Sequence, residues 1–338
     1  MRRIRKPYTV ISICLLLFFA ATSCKKTLQT SPPGTSAVET FEELWTFMDR
    51  HYALFDVKQI EWKMIYDKYR STVTNAMTEA ALFEVCADML EELKDGHVTL
   101  ISPFKTFTYE NFYRLFPTNF NYPNISANYL GSSSKVSGPF IYTIKQGIGY
   151  LYCKSFRDDY TNEDLEKVFN ELQSTTGLIL DIRSNTGGKA GNVNRLVQKF
   201  LDKKTLVKYE LVKSGPGHNQ FLLPNAYYLE PTAIPYSNPV IVLTNRTCFS
   251  ACNDFASYMN YLPQVTILGD QTGGGGSIPN NYILANGWTL QYSSTITLSA
   301  DKIPIDAGIT PDIYLNISPI DETNGIDPLI EKAFLLLK

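Results

Sequence analysis

The chain has 338 residues, of which 44% are hydrophobic and 13% aromatic, so it can bury a large core. Its 31 Lys and Arg residues nearly balance 33 Asp and Glu, and the net charge is −2. No long basic run follows the N-terminus, so nucleic acid is not an expected partner.

The first 24 residues read as a targeting signal, because a basic start precedes an apolar stretch, residues 8–20, that is short for a membrane span. The small residues 21–23 followed by Cys24 resemble a bacterial lipobox. This resemblance implies that Cys24 is lipidated and tethers an exported protein to a membrane, on its periplasmic side. The alternative is an ordinary signal peptide with an incidental cysteine. Residues 25–37 are rich in Ser, Thr, Pro and Lys and are predicted to be a flexible tether.

Residues 38–100 are predicted to be a helical module, since apolar side chains recur there at helical spacing. Thr78 is predicted to cap the third helix. The three stripes are Phe41, Leu44, Trp45 and Met48; Trp62, Ile65, Tyr66 and Tyr69; and Leu82, Val85, Cys86, Met89 and Leu93.

His97 follows the turn signal Asp95-Gly96, and a strand begins at Val98. A histidine at a helix-to-strand junction can point into a cleft, and histidine is the usual general base near neutral pH. The next stretch, residues 101–140, is predicted to be an irregular connecting or cap segment, rich in Phe, Tyr, Asn and Pro.

From residue 141 to 320, short β-branched runs alternate with helical patterns, which predicts an α/β sheet with helical crossovers. The last segment, residues 321–338, is predicted to contain a closing helix.

Ser250 lies where the strand Val240–Leu243 gives way to a helical pattern. A hydroxyl at this junction is close to free backbone N–H groups and to the positive end of the helix dipole, which could stabilise an oxyanion. The alternative is that Ser250 only caps the helix. Cys252 is a weaker candidate nucleophile, because it lies further into the helix and buried cysteines are common.

Two glycine-rich turns, residues 181–188 and 269–276, precede no Gly-Lys-Ser/Thr, so neither is predicted to bind phosphate. The three histidines at 51, 97 and 218 are scattered without ligand spacing, and no metal site is predicted. No cofactor is expected. Cys86, Cys153, Cys248 and Cys252 are expected to be buried thiols.

Several stretches, in the same order, resemble the tail-specific (carboxy-terminal-processing) serine peptidases, a family that includes the tricorn core and interphotoreceptor retinoid-binding protein. The resemblance covers roughly residues 38–320. The resemblance rests on six stretches: Asp95-Gly96-His97-Val98, Gly149-Tyr150-Leu151 with Phe156, Leu178 to Gly188, Val240 to Ala256, Gly269 to Gly276, and Gly308-Ile309-Thr310-Pro311-Asp312.

The resemblance implies a crotonase-like α/β core, with Ser250 as nucleophile. It also implies an oxyanion hole formed by the Ala251 N–H and by Gly187 or Gly188.

In one branch of this family a lysine stands twenty-five residues after the nucleophile, where this chain has Gly275. The tricorn-like branch instead uses a histidine, which matches His97, and an acid, for which Asp306 is the nearest candidate and Asp301 a rival. Tricorn's hydroxyl residue before the histidine is replaced by Gly96.

Only about fifty residues separate His97 from the strand at Gly149, so the PDZ domain of many relatives is predicted to be absent. The expected function is a membrane-tethered serine peptidase acting on peptides or proteins. The alternative is an inactive hydrophobic-ligand or peptide-binding protein on the same fold, and nothing in the sequence indicates an oligomeric state.

Overall fold

The computed structural model describes residues 35–338; the predicted signal, Cys24 and most of the predicted tether lie outside them. The helices are α1 (Ala37–His51), α2 (Phe55–Lys58), α3 (Trp62–Arg70), α4 (Glu79–Glu91), α5 (Asn111–Arg114), α6 (Tyr122–Ile125), α7 (Asn162–Leu172), α8 (Ala190–Val197), α9 (Ala251–Met259), α10 (Pro319–Thr323) and α11 (Pro328–Leu336). A π-helical turn (Ser126–Leu130) follows α6, and a 3-10 turn (Gln198–Phe200) follows α8.

The strands are β1 (Thr99–Ile101), β2 (Thr106–Thr108), β3 (Lys135–Ser137), β4 (Phe140–Lys145), β5 (Ile148–Cys153), β6 (Gly177–Asp181), β7 (Thr205–Val212), β8 (Asn225–Leu229), β9 (Val240–Thr244), β10 (Val265–Gly269), β11 (Pro279–Ile283), β12 (Thr289–Ser293), β13 (Thr295–Leu298) and β14 (Ile313–Tyr314). The segment 101–140, predicted to be irregular, contains two short strands and two short helices: β2, α5, α6 and β3.

Helices α1 to α4 pack together through the predicted apolar stripes. Ser36 caps α1 in a capping box with Glu39, and the Thr78 hydroxyl accepts a hydrogen bond from the Ala81 N–H, which confirms the predicted cap of α4. The rings of Trp45 and Trp62 stack, with centroids 6.3 Å apart. The side chains that repeat at helical spacing therefore build the core of this module.

A seven-stranded sheet in the order β14-β10-β9-β6-β5-β4-β3 forms the centre of the fold. The five strands from β14 to β5 are parallel. Strand β9 is buried along its whole length, as expected of a parallel strand covered on both faces. Helices α7, α8 and α9 contribute to the core on one face, and α11 to the core on the other. The predicted α/β fold with an N-terminal helical module is confirmed.

An antiparallel sheet in the order β11-β12-β1-β2 joins the helical module to the C-terminal half of the chain. In its register, Thr99 pairs with Gln291 and Leu100 with Leu290. Because β1 begins two residues after His97, this pairing fixes where that histidine enters the core. A third sheet has the order β13-β7-β8.

The predicted C-terminal helix is present, and it is held by a buried ion-pair cluster. Arg183 Nη2 lies 2.6 Å from Asp181 Oδ2, and Arg183 Nη1 lies 2.9 Å from Asp327 Oδ2, with all three side chains almost fully buried. Asp327 also caps α11 by accepting from the N–H groups of Leu329 and Ile330. A charged cluster thus ties α11 to the end of β6.

The four cysteines in residues 35–338 are free and buried, as predicted. Within the same residues, none of the helices has the length and apolar character needed to cross a bilayer.

Candidate active site

Ser250 lies at the start of α9, directly after the loop that leaves β9. Its backbone has φ 58° and ψ −125°, a conformation that non-glycine residues rarely adopt and that costs about 1–3 kcal/mol. The Ser250 N–H donates to the Gly274 carbonyl at 2.9 Å, and its hydroxyl makes no capping bond to the helix. The Ser250 side chain therefore does not cap α9. The hydrogen bond to Gly274, in the neighbouring glycine-rich loop, stabilises the strained backbone conformation.

The side chain of His97 contacts this hydroxyl. His97 Nε2 lies 2.9 Å from Ser250 Oγ, which is hydrogen-bonding distance for a nucleophile and its base. His97 is 5% exposed, and burial is the main cause that lowers the pKa of its imidazole below the ordinary value. The neutral imidazole, which can accept a proton, is thus the favoured form near neutral pH.

Asp95 positions His97 through the backbone rather than through the imidazole. Its Oδ1 accepts from the His97 N–H at 2.8 Å, and its Oδ2 accepts from the hydroxyls of Tyr52 and Ser293 at 3.0 and 2.7 Å. Gln291 Nε2 also donates to the His97 carbonyl at 3.1 Å. The turn before β1 is thereby tied both to the helical module and to β12.

Asp306 is buried beside this cluster, but its direct partner is Lys58. Lys58 Nζ lies 2.7 Å from Asp306 Oδ2. The other oxygen, Asp306 Oδ1, and the second ring nitrogen, His97 Nδ1, are both buried without a hydrogen-bond partner in the described part of the chain. The predicted hydrogen bond from His97 to Asp306 is thus not formed here. The rival acid, Asp301, is exposed on a turn.

The predicted oxyanion hole lies where the turn after β6 touches the start of α9. A Cβ placed on Gly187 would lie 2.8 Å from Ala251 N and 3.0 Å from Ser250 Cβ. The Gly187 N–H itself donates to Asn185 Oδ1 at 2.9 Å. Among residues 35–338, the Ala251 and Gly188 N–H groups have no acceptor, and that of Ala251, directly after Ser250, is available to an incoming oxyanion.

Aromatic rings occupy the space beside His97. The Phe249 ring centroid lies 4.7 Å from that of His97 and 4.4 Å from that of Phe112. A Cβ on Gly275 would lie 2.4 Å from the Phe249 ring, and one on Gly96 would lie 2.5 Å from the Phe112 ring. The two departures from the family pattern, at 96 and 275, are therefore the positions that these rings require to be glycine.

The remaining candidates lie outside the catalytic contacts. Cys252 is fully buried, its Sγ faces the Ile182 carbonyl at 3.8 Å, and burial raises the pKa of its thiol, which makes it a poor nucleophile. His51 stacks on Phe47, and His218 Nε2 contacts Asp49 at 3.0 Å.

Sequence reasoning missed Lys58, Phe112 and Asn185. Nothing near Lys58 in the sequence signals a partner 248 positions away. The glycines at 96 and 275 could have indicated a bulky neighbour, because the family resemblance implies a larger side chain at each of these two positions in one of its branches.

Comparisons with known proteins bear on the family and the fold of this chain. The sequence model described as "Peptidase family S41" matches residues 147–315, and that of the "Tricorn protease C1 domain" matches residues 33–91. A putative peptidase from Parabacteroides merdae, solved by crystallography, is 39% identical, with a TM-score of 0.86; the match covers 90% of this chain and 97% of that one.

Two further relatives are more distant. The chloroplastic C-terminal processing peptidase of Tetradesmus obliquus is 27% identical over 179 residues, which is 51% of this chain and 36% of that protein. The crystal structure of mature CPAF shares the fold at 12% identity and a TM-score of 0.66, covering 90% of this chain and 96% of that one. The chain spans less than half the length of the curated relatives that it matches first.

Proposed function

The chain belongs to peptidase family S41, and on this premise we propose that it hydrolyses peptide bonds of proteins or peptides by acyl transfer through Ser250. The observation that carries the proposal is the 2.9 Å contact between His97 Nε2 and Ser250 Oγ, beside the Ala251 N–H, which has no acceptor in the described part of the chain.

In the proposed mechanism, His97 Nε2 takes the proton of Ser250 Oγ as the oxygen attacks the substrate carbonyl. The Ala251 N–H, with the Gly188 N–H, stabilises the oxyanion, each donor contributing on the order of 3 kcal/mol in known cases. The imidazolium returns its proton to the leaving amine, and a water then hydrolyses the acyl-enzyme by the same steps. Because His97 must be neutral and its pKa is lowered, the acid limb of the kcat/KM profile lies below the ordinary histidine value.

The finer proposal is that the protein processes substrates as an exported lipoprotein anchored at Cys24. Relatives of matching sequence are named carboxy-terminal-processing proteases, which supports the reaction class but not a particular substrate. The lipobox-like residues before Cys24 support the anchor. A Cys24→Ala variant expressed from the full chain should move from the membrane fraction to the soluble fraction and lose metabolic palmitate labelling. Unchanged fractionation and labelling would contradict the anchor.

The test of the activity uses the mature chain, residues 25–338, and its Ser250→Ala variant. Hydrolysis of a diverse peptide library by each protein is measured by mass spectrometry. Cleavage that disappears in Ser250→Ala is expected. The same products from both proteins would remove Ser250 from the mechanism. Apolar-ligand binding by a folded protein that neither cleaves peptides nor reacts with a fluorophosphonate would favour the binding-protein alternative.

A further inference from the structure

We propose that Lys58, from the helical module, is a positioning residue for the peptidase reaction, because its ammonium group holds Asp306 in place to support His97. This inference rests on the proposed function, and it adds the pair of Lys58 and Asp306 to the proposed nucleophile and base. The contact spans the two halves of the fold, since Lys58 ends α2 and Asp306 follows β13 in the core.

The two carboxylate oxygens of Asp306 can serve two different neighbours, Lys58 and His97. Oδ2 is taken by Lys58 Nζ at 2.7 Å, and Oδ1 is buried with no partner in residues 35–338. His97 Nδ1 is buried and unpaired in the same part of the chain. If Nε2 is to accept the serine proton, Nδ1 must carry the other ring proton, and this buried donor needs an acceptor. Oδ1 is the complementary acceptor, and a side-chain rotation that closes this contact satisfies two atoms at once.

Asp95 does not compete for this role. Both of its oxygens already accept hydrogen bonds, from the His97 backbone and from the Tyr52 and Ser293 hydroxyls. Asp306 is in turn fixed to the nucleophile's surroundings, because its carbonyl accepts from the Gly275 N–H at 3.1 Å. The neighbouring Gly274 carbonyl receives the Ser250 N–H. One loop thus sets the positions of both the nucleophile and the acid.

Lys58 is held well enough to position its partner. Its Nζ also donates to the Lys94 carbonyl at 3.2 Å, and α2 is anchored by the buried ring of Phe55. The side chains of Lys58 and Asp306 are 19% and 5% exposed. Both border a cavity of about 600 Å³. This space can accept a larger guanidinium in place of the ammonium.

Charge supports the same assignment. Burial raises the pKa of Asp306, the neighbouring Asp95 carboxylate raises it further, and Lys58 opposes both. The titratable groups around the pair are Asp95, His97 and Tyr52 on the core side, Tyr109 beside Lys58, and Glu61, Glu92 and Lys94 around the cavity. Without Lys58, the pKa of Asp306 would rise, and the carboxyl group would stay protonated up to a higher pH. A protonated, neutral Asp306 could no longer stabilise an imidazolium.

The experiment compares Lys58→Met, Lys58→Arg, Asp306→Asn and the double variant Lys58→Met/Asp306→Asn in the mature chain. Steady-state kinetics are measured across pH on a peptide that the unmodified protein cleaves. The matched control is Lys63→Met, which removes an exposed lysine that pairs with Asp67 on the same module.

We expect Lys58→Met to lower kcat at least about tenfold, but by less than the roughly 10⁴-fold loss that follows impairment of the acid in a Ser-His-Asp triad. KM should change little. The acid limb of kcat/KM should move to higher pH, because activity then requires an Asp306 of raised pKa to be ionised and the imidazole has lost a neighbouring cation. Lys58→Arg should restore most of the activity, and Lys58→Met should have almost no effect when Asp306 is already Asn.

The proposal is overturned if Lys58→Met lowers only thermal stability and leaves kcat and the pH profile of the folded protein unchanged. It is also overturned if the loss of kcat in the double variant equals the product of the losses in Lys58→Met and Asp306→Asn, because the two residues would then act independently. These outcomes are separate from failure of the proposed function, which appears as hydrolysis that persists in Ser250→Ala.

Discussion

Replacement of Gly187 by alanine tests whether the contact between the turn after β6 and the start of α9 is the oxyanion hole. Gly187 has φ 90°, where a side chain is strained by about 1–2 kcal/mol. The added Cβ would lie 2.6 Å from the Phe249 carbonyl and 2.8 Å from Ala251 N. Since these distances are shorter than real Cβ contacts, the methyl group must displace or cover the Ala251 N–H, which has no acceptor among residues 35–338.

Loss of one oxyanion donor costs about 10² to 10³ in kcat, or roughly 3 kcal/mol of transition-state stabilisation. We therefore expect Gly187→Ala to lower kcat by at least about 100-fold with a small change in KM, and to lower Tm by a few degrees. The assay is steady-state peptide hydrolysis at a temperature where circular dichroism shows the variant to be folded.

The matched control is Gly191→Ala, four residues later in α8, where a Cβ meets no atom within 4 Å. This variant should keep full activity and gain up to about 1 kcal/mol of stability, because alanine favours a helix over glycine. A folded Gly187→Ala protein with activity within threefold of the unmodified protein would refute the assignment of the hole.

Three other substitutions test the reasoning elsewhere. Gly275→Lys should not restore hydrolysis to a His97→Ala variant at any pH, because φ is 78° and the Phe249 ring blocks the side chain; recovered turnover would contradict this. Burial raises the pKa of Asp254 to about 6, above its unfolded value of about 4, so its ionisation weakens the fold as pH rises between these values. Asp254→Asn should thus raise the free energy of unfolding by about 1–2 kcal/mol at pH 7.5 and by nothing near pH 4, measured by urea denaturation at both. Asp327→Ala should lower it by about 3–5 kcal/mol, because the buried Arg183 loses a partner; a change below 1 kcal/mol would show that the cluster is not needed.

The elements that the sequence predicts best are those whose periodicity extends over many residues. The stripe beginning at Phe41 became the buried face of α1, and the β-branched run at Val240 became a central strand. These patterns record which face of an element is buried, so they can be read without knowing the partner.

Contacts between distant residues are of another kind. The juxtaposition of His97 and Ser250 was expected only through the ordered family motifs, because 153 positions separate the two residues. The ion pair of Lys58 with Asp306 had no motif to reveal it, and charge alone does not choose one lysine among many. Nor could the sequence foresee that the Gly187 N–H is occupied by Asn185, since this depends on the path of a single turn.

The proposed choice of His97 as the base depends on more than one position. A lysine at 275 would need the volume that the Phe249 ring fills, and that ring also packs against His97. The same stack continues to Phe112, which in turn requires glycine at 96. Exchange of Gly275 alone therefore cannot convert a histidine-based site into a lysine-based one. The glycines at 96 and 275 and the two phenylalanine rings form one packed unit, and this unit leaves room for His97, the proposed base, beside Ser250.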